Sequence, residues 1–272
     1  MASSTYPTLR EIRETHAWKR EYERYLPLSR YVFRPLGFLL TWLAIRIGLT
    51  SEAVSWMSGF VGLIGCLCLL SSQQQFLSIG IGLLIFFNFL DCVDGSIART
   101  MKTENSYGRF LDSLMAWIDM GFWALIGVMA YRHPELLYGS NPLGKGVIFW
   151  LAIGGLTCYF SIIIGYIEGL FDELMREDWN KLSDKSKSDI FKNNVTKNGN
   201  TSSSFILSII RRINHNLRVR ETHYFLLVLS YLGGAIDLLL GFFLFYYAMH
   251  TILLVIIYSV RGRQIRQKYQ AS

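Results

Sequence analysis

Long apolar stretches separated by short polar segments dominate the pattern of this chain. Four of these stretches contain no Asp, Glu, Lys or Arg: Ala53–Leu70, Phe76–Leu90, Gly146–Ile167 and Leu238–Val260. A helix needs about 20 apolar residues to cross the roughly 30 Å hydrocarbon core of a bilayer. The pattern therefore predicts an all-α integral membrane protein with six transmembrane helices, at 52–71, 76–98, 108–132, 146–168, 222–240 and 242–260.

A further hydrophobic segment, 31–49, precedes the first predicted span. It contains Arg34, Pro35 and Arg46, and an arginine is costly in the middle of a bilayer. A helix that lies along the membrane surface keeps such residues in the polar interface. We therefore predict an N-terminal interfacial amphipathic helix here rather than a seventh span.

Composition narrows the class of protein and its organisation. Of 272 residues, 51% are hydrophobic and 17% are charged, whereas soluble domains contain about 25% charged residues. These values exclude a disordered chain, a collagen-like repeat and a disulfide-stapled secreted scaffold. We predict an N-terminal segment with the interfacial helix over 1–50, a six-helix transmembrane domain over 51–260 with a polar loop at 172–220, and a basic tail over 261–272.

The distribution of basic residues predicts how the spans are oriented. With six spans, 25 of the 27 Lys and Arg residues fall on one side of the membrane, and Arg132 and Lys145 fall on the other. Cytoplasmic segments of membrane proteins are enriched in basic residues. We therefore expect both termini and the 172–220 loop to be cytoplasmic. An odd number of spans would remove this asymmetry.

Three carboxylates lie within or at the edge of predicted spans, where an ionisable side chain is a functional candidate by default. Asp91 and Asp94 are three residues apart near the end of the second span, hence on one helix face, and Asp112 is near the start of the third. The short connection 100–107 makes these helix ends neighbours, so we expect the carboxylates to converge. Oxygen ligands without His or Cys favour a hard cation, Mg²⁺ or Mn²⁺, with Ca²⁺ as a substitute.

The residues around these carboxylates favour a ligand that contains phosphate. Gly95, Ala98 and Gly108 are small and leave room for a ligand against the backbone. Arg99 supplies a planar donor that suits phosphate or pyrophosphate. A divalent cation and an arginine beside small residues predict a site for a polyphosphate ester.

The spacing of these residues resembles the signature of the CDP-alcohol phosphotransferases, or CDP-alcohol phosphatidyltransferases. The resemblance implies an enzyme of phospholipid synthesis that transfers a substituted phosphate from a CDP-linked donor to an alcohol and releases CMP. Members of the family are usually homodimers. The motif that carries the resemblance is Asp91-x-x-Asp94-Gly95-x-x-Ala98-Arg99, eight further residues, then Gly108-x-x-x-Asp112.

The resemblance also implies a role for each motif residue. It assigns two Mg²⁺ or Mn²⁺ ions to Asp91, Asp94 and Asp112, and contacts with CDP to Gly95, Ala98, Arg99 and Gly108. The expected donor is a CDP-lipid such as CDP-diacylglycerol, with its tails between the helices and its cytidine at the cytoplasmic edge. A soluble CDP-alcohol with a lipid acceptor is the reverse arrangement within the same family.

At one position the chain departs from the family pattern. The pattern has a fourth aspartate four residues after Asp112, expected to take the proton of the acceptor hydroxyl, and this chain has Ala116 there. Loss of a positioned general base typically costs about 10²–10⁴-fold in rate. Three explanations remain open: an engineered inactivating substitution, a naturally inactive relative, or an active variant with another base. Asp119, one turn deeper than the missing carboxylate, is the candidate substitute.

Basic side chains at the cytoplasmic edge are candidates for binding the acceptor alcohol. Arg109 stands out because it adjoins Gly108 within the motif. It could hold an acceptor that carries its own phosphate, such as glycerol phosphate or inositol phosphate. The full set of candidates is Arg34, Lys102, Arg109, Arg218, Arg220 and His223.

The sequence thus predicts a metal-dependent membrane transferase that acts on a CDP-lipid donor and a polar alcohol, with no nucleic-acid partner. Two other classes remain. Ala116 favours a non-catalytic CDP-lipid-binding or scaffold protein. Acids within spans also occur in ion-coupled transporters, but their clustering at one membrane face rather than at the midplane argues against that class.

Overall fold

The computed structural model describes residues 6–18, 23–138, 148–181 and 201–270. Every regular element in these ranges is helical, which confirms the predicted all-α class. Short 3₁₀ segments lie at Glu23–Tyr25, Trp117–Asp119 and Pro134–Leu136, and a π-helical turn lies at Ser29–Phe33. The α-helices are α1 (Leu9–Thr15), α2 (Arg34–Arg46), α3 (Ser51–Leu69), α4 (Gln74–Met101), α5 (Ser106–Ala116), α6 (Phe122–Arg132), α7 (Ile148–Lys181), α8 (Thr201–Leu217), α9 (Arg220–Gly233) and α10 (Ile236–Gln270).

Helix length and composition confirm an integral membrane protein but not the count of six spans. The predicted span 222–240 corresponds to α9, which has only 14 residues and is therefore about 21 Å long at 1.5 Å per residue. Among the described residues, five segments are long and apolar enough to cross a membrane: Ser51–Leu69, Gln74–Met101, Ser106–Arg132, Ile148–Arg176 and Ile236–Gln267.

The turn between the last two helices lies earlier than the sequence predicted. The predicted spans 222–240 and 242–260 put the turn near residue 241. In the structure, α9 ends at Gly233 and α10 begins at Ile236. Gly234 has φ +59°, a left-handed conformation that glycine adopts without the steric cost of a Cβ atom. Gly241 has no such role and lies within α10.

The third predicted span, 108–132, is not one continuous helix. It is interrupted by the 3₁₀ turn at Trp117–Asp119, after which α6 begins at Phe122. A 3₁₀ segment winds with three residues per turn instead of 3.6. The interruption therefore changes the face on which Asp119 lies, so its direction cannot be extrapolated from Asp112.

Two segments predicted as polar loop or tail are helical extensions. α7 continues from its span to Lys181, and α10 continues to Gln270, whereas the predicted loop began at 172 and the predicted tail at 261. The reason is a small apolar cluster between them, in which Phe171, Met175 and Trp179 pack around the buried Ile265. The central part of the predicted loop, 182–200, lies outside the described residues.

The hydrophobic segment 31–49 contains a helix, as the sequence predicted. This helix, α2, ends at Arg46 and buries Ala44 and Ile45 in a cluster with residues of α3 and α4. It is not among the five segments that suit a membrane crossing. Its location in the membrane interface remains a prediction.

Glycines allow α6 and α7 to approach closely. A Cβ atom added to Gly154 would lie 2.6 Å from the Cα atom of Gly127 and 2.8 Å from the carbonyl oxygen of Trp123. Backbone atoms cannot rotate away as a side chain can, so any larger residue must push the helices apart. The next residue, Gly155, has no heavy atom within 4 Å of the same position.

We expect Gly154→Ala to destabilise the folded protein by about 1–3 kcal/mol, because the added methyl group overpacks this contact. Gly155→Ala is the matched control and should be neutral or slightly stabilising, since alanine favours helix formation over glycine by up to about 1 kcal/mol. Thermal unfolding of both variants in one detergent measures the difference. Equal melting temperatures would contradict the described packing.

Candidate active site

A cavity of about 610 Å³ lies where α4 ends and α5 begins, and we call it the motif cavity. Its wall includes residues of α3, α4 and α5, together with the connections that precede α3 and α5. Seven of the site residues predicted from the sequence line it: Asp94, Gly95, Ala98, Arg99, Gly108, Arg109 and Asp112.

Asp94 is the most buried of the motif carboxylates, with 2% of its surface exposed. The hydroxyl of Ser55 on α3 donates to its Oδ2 atom at 2.5 Å, and the backbone N–H of Gly95 donates to its Oδ1 atom at 2.5 Å. Ser51 donates to its carbonyl oxygen at 2.8 Å. These bonds compensate for burial of a charged group and fix the carboxylate at the cavity wall.

Sequence reasoning did not identify Ser55 as a site residue. The available signal was the spacing of Ser51 and Ser55, four residues apart and therefore on one helix face, near the start of an otherwise apolar span. Both hydroxyls are directed at Asp94. Polar side chains on a membrane helix form hydrogen bonds with neighbouring helices. Here the serine hydroxyls bond to Asp94 of the motif.

The start of α5 is fixed by a side-chain cap. Asn105 accepts a hydrogen bond from the backbone N–H of Gly108 at 2.7 Å, which satisfies a donor that the first turn of a helix leaves unpaired. The cap sets the direction of α5 as it leaves the connection. Asp112, one turn after Gly108, is thereby placed on the motif cavity.

Arg99 lies against Gly95 one turn before it on α4. A Cβ atom added to Gly95 would be 2.9 Å from Nη2 and 3.2 Å from Nη1 of Arg99. Glycine at 95 therefore leaves the space that the guanidinium occupies at the cavity wall. The Nε atom of Arg99 donates to Nε2 of His16 at 3.0 Å, a contact that sequence reasoning did not anticipate.

Asp91 does not line the motif cavity and is instead paired with Arg220, the first residue of α9. Nη1 of Arg220 is 3.3 Å from Oδ2 of Asp91, and Nε is 3.0 Å from Oδ2 of Asp119. Nη2 donates to the carbonyl oxygen of Ala116 at 3.4 Å. The guanidinium also lies 4.8 Å above the ring of Phe87, within the range of a cation–π contact.

Through the carbonyl oxygen of Ala116, Arg220 therefore borders the position where the family pattern has its fourth aspartate. The Oδ2 atom of Asp119 is held there by two partners, because Tyr224 also donates to it, at 2.8 Å. The sequence had suggested Arg220 only as a candidate for the acceptor, and Asp119 as a substitute base. In the structure, Arg220 forms ion pairs with both Asp119 and Asp91.

The donors on the motif cavity suit one hard divalent cation. Mg²⁺ in proteins is commonly held by one or two carboxylates together with substrate phosphates and water, and Asp94 and Asp112 both line the cavity. Across the ranges that the structure describes, no three His, Cys, Asp or Glu side chains are grouped as a metal-ligand set. Asp91 pairs with Arg220, and the assignment of metal ions to Asp91, Asp94 and Asp112 stays a prediction.

Three of the acceptor candidates occupy different places. Arg109 lines the motif cavity. Lys102 is exposed and ends α4 in a left-handed conformation, with φ +55°. Arg34 lines a second cavity of about 300 Å³ and forms a 2.5 Å ion pair with Glu23. Only Arg109 of these three is placed to meet a ligand in the motif cavity.

We expect Arg220→Met to destabilise the protein by about 1–3 kcal/mol, because it leaves the partly buried Asp91 and Asp119 without the cation that both contact. Arg218→Met is the control. Arg218 pairs with Glu168 at 2.5 Å, but 35% of its side chain is exposed, so the loss should be about 0–1 kcal/mol. Thermal unfolding compares the two variants, and a similar small loss for both would contradict the role assigned to Arg220.

Comparison with known proteins confirms the resemblance carried by the motif. Residues 49–170 match the family described as CDP-alcohol phosphatidyltransferase. A phosphatidylinositol phosphate synthase of Cutibacterium acnes is 27% identical over 133 residues, which are 49% of this chain and 58% of that protein. An archaetidylinositol phosphate synthase of Methanothermobacter thermautotrophicus is 30% identical over 106 residues, 39% of this chain and 52% of that protein.

The chain thus spans a little more than half the length of these relatives. The matched residues include α3, α4 and α5, which carry the motif and most of the wall of the motif cavity. Residues 49–170 are thus similar to the CDP-alcohol phosphatidyltransferase domain, over a little less than half of the chain.

Proposed function

We propose that this chain transfers a substituted phosphate of the phosphatidyl type from a CDP-linked lipid to a polar alcohol and releases CMP. The observation that carries this proposal is the motif cavity, where carboxylates and two arginines from two helices line one space of about 610 Å³. The apolar side chains of Ile45, Leu49, Ile97 and Met101 line the same space. A CDP-lipid has a matching division into a charged head and apolar tails.

In this proposal, different residues of the motif cavity bind different parts of the donor. We expect Arg99, which lines the cavity, to pair with the diphosphate, because a guanidinium forms two parallel hydrogen bonds with phosphate oxygens. Asp94 and Asp112 would hold a Mg²⁺ or Mn²⁺ ion, which when bound neutralises charge on the diphosphate and on the departing CMP. A second ion, as the family resemblance implies, would require Asp91 to leave Arg220.

The acceptor is proposed to be an alcohol that carries its own phosphate. The two relatives are named as synthases of inositol phosphate lipids, which supports inositol phosphate as the first compound to test. Arg109 lines the motif cavity and provides a cation for such a phosphate. Glycerol phosphate is the alternative of the same chemical class.

Because Ala116 cannot act as a general base, we expect a low rate of reaction. Within the described residues, Asp119 is the nearest carboxylate along the chain, yet it does not line the motif cavity and its Oδ2 atom is held by Arg220 and Tyr224. It is therefore poorly placed to take a proton from the acceptor. We propose that the chain binds its donor and turns over slowly; a non-catalytic CDP-lipid-binding protein is the second candidate, favoured by the same alanine.

We further propose a multi-pass protein with both termini and the motif cavity on the cytoplasmic side, and a homodimer as the resemblance implies. The course of α9 supports an even number of crossings. Its first residue, Arg220, pairs with Asp91 inside the bundle. Asp237 follows the end of α9, and Tyr138 follows the end of α6. The backbone N–H of Tyr138 donates a hydrogen bond to the carboxylate of Asp237 at 2.9 Å. The short α9 thus returns the chain across the bundle.

Ala116→Asp should raise metal-dependent CMP release by about 10²-fold or more, because it supplies the missing general base. The measurement is CMP formed from CDP-diacylglycerol with Mg²⁺ or Mn²⁺, over a panel of acceptors that includes inositol phosphate and glycerol phosphate. Adding Asp112→Asn should abolish the gain, whereas Asp119→Asn should preserve most of it. An unmodified chain that turns over well and loses activity with Asp119→Asn alone would show that Asp119 is the base.

CDP should bind to the unmodified chain only when Mg²⁺ or Mn²⁺ is present, because Arg99, Asp94 and Asp112 are retained although Ala116 is not acidic. Calorimetric titration of the purified protein with CDP, with each metal and with a chelator, tests this expectation. Arg99→Met should weaken binding by about tenfold or more, the scale of a lost hydrogen bond to a charged group. Metal-independent or undetectable binding would contradict the proposed site.

A further inference from the structure

The N-terminal segment before α2 is attached to the helices that carry the motif. Ile12 of α1 is fully buried, in a cluster with Ala44 and Ile45 of α2 and with Val54 and Val93 of α3 and α4. This contact fixes the position of α1 beside the end of α4. Tyr6, just before α1, lines the motif cavity itself. The segment is therefore part of the wall around the proposed nucleotide site.

The start of α1 is fixed by a reciprocal cap. The backbone N–H of Glu11 donates to the hydroxyl oxygen of Thr8, and the backbone N–H of Thr8 donates to the carboxylate of Glu11 at 2.6 Å. Hydrogen bonds from the backbone and the hydroxyl of Thr8 lower the pKa of Glu11. The reciprocal cap holds α1 in one register.

His16 ends α1 and is 2% exposed. Its Nδ1 atom is 2.9 Å from the carbonyl oxygen of Ile12, and a carbonyl oxygen only accepts hydrogen bonds, so Nδ1 carries a proton. In the neutral ring, Nε2 then has a free lone pair. That atom accepts from Nε of Arg99 at 3.0 Å. The ring also packs against Phe38 of α2, with 5.3 Å between ring centroids.

The bond to His16 uses the inner nitrogen of Arg99 and leaves the two terminal nitrogens at the motif cavity. Those nitrogens lie over Gly95, as the 2.9 Å and 3.2 Å distances from an added Cβ atom show. An arginine side chain has four rotatable bonds, and holding it in one geometry costs entropy. A fixed acceptor at Nε reduces the cost that a phosphate ligand would otherwise meet on binding.

We propose that His16 is a positioning residue that holds the Arg99 guanidinium toward the diphosphate of a nucleoside diphosphate ligand. The inference rests on the proposed function and extends the nucleotide site beyond residues 49–170, to the N-terminal helix. His16 acts through Arg99 and not on the ligand. The contact with Ile12 fixes its ring, and the ring fixes the arginine.

The test compares CDP affinity among histidine variants, by calorimetric titration of the full chain with Mg²⁺. We expect His16→Ala to weaken CDP binding by about tenfold, because Arg99 loses its oriented partner. His16→Gln should restore affinity to within about threefold, because its amide oxygen can accept from Arg99. His133→Ala is the matched control: His133 is equally buried and bonds to Ser71 and Glu135, away from the motif cavity, so CDP affinity should not change.

A double-mutant cycle separates positioning from a general structural effect. In the Arg99→Met background, His16→Ala should cause no further loss of CDP affinity, because the residue it positions is gone. The inference is overturned if His16→Ala leaves affinity unchanged, if the loss persists without Arg99, or if His133→Ala weakens binding equally. If His16→Ala does not fold, Ile12→Ala, which loosens α1, should give the same Arg99-dependent loss. An unmodified chain that binds no CDP contradicts the proposed function first, and this inference with it.

Discussion

The need to neutralise carboxylates within membrane-crossing helices shapes the centre of this structure. An isolated charge is costly in a medium of low dielectric constant, so it must be paired, hydrogen-bonded or bound to a cation. The structure uses two of these solutions on one helix. Asp91 is paired with Arg220, which also holds Asp119. Asp94 accepts hydrogen bonds from Ser55 and from the backbone and faces the motif cavity.

This division links the substitution at 116 to the last helices of the chain. Arg220 contacts the carbonyl oxygen of Ala116, so the residue that pairs with Asp91 also borders the position of the missing acid. The guanidinium of Arg220 supplies positive charge beside Asp91, one of the three carboxylates to which the resemblance assigns metal. The proposed donor site on Asp94, Asp112 and Arg99 does not use the Arg220–Asp91 ion pair, which is why we infer that binding survives when the base is absent.

Periodicity and spacing predicted the features that depend on local sequence. They gave the helical class, the bounds of α3 and α4 to within a few residues, and the resemblance that the family match confirms. Periodicity and spacing could not predict features that depend on contacts between segments distant in the sequence. The pairing of Arg220 with Asp91 and the bond from Arg99 to His16 join residues more than 80 positions apart. The turn at Gly234 was misplaced because several glycines in one apolar block fit a hairpin equally well.

The central claim is that the motif cavity binds a metal–nucleotide complex while Asp91 stays with Arg220. Diffraction from crystals grown with Mn²⁺ and CDP, recorded for anomalous scattering, tests it most directly. The account predicts one manganese peak beside the carboxylates of Asp94 and Asp112, with the diphosphate against Arg99 and the Arg220 pair intact. Nucleotide bound outside the cavity, or a manganese ion ligated by Asp91 with Arg220 displaced, would contradict the account.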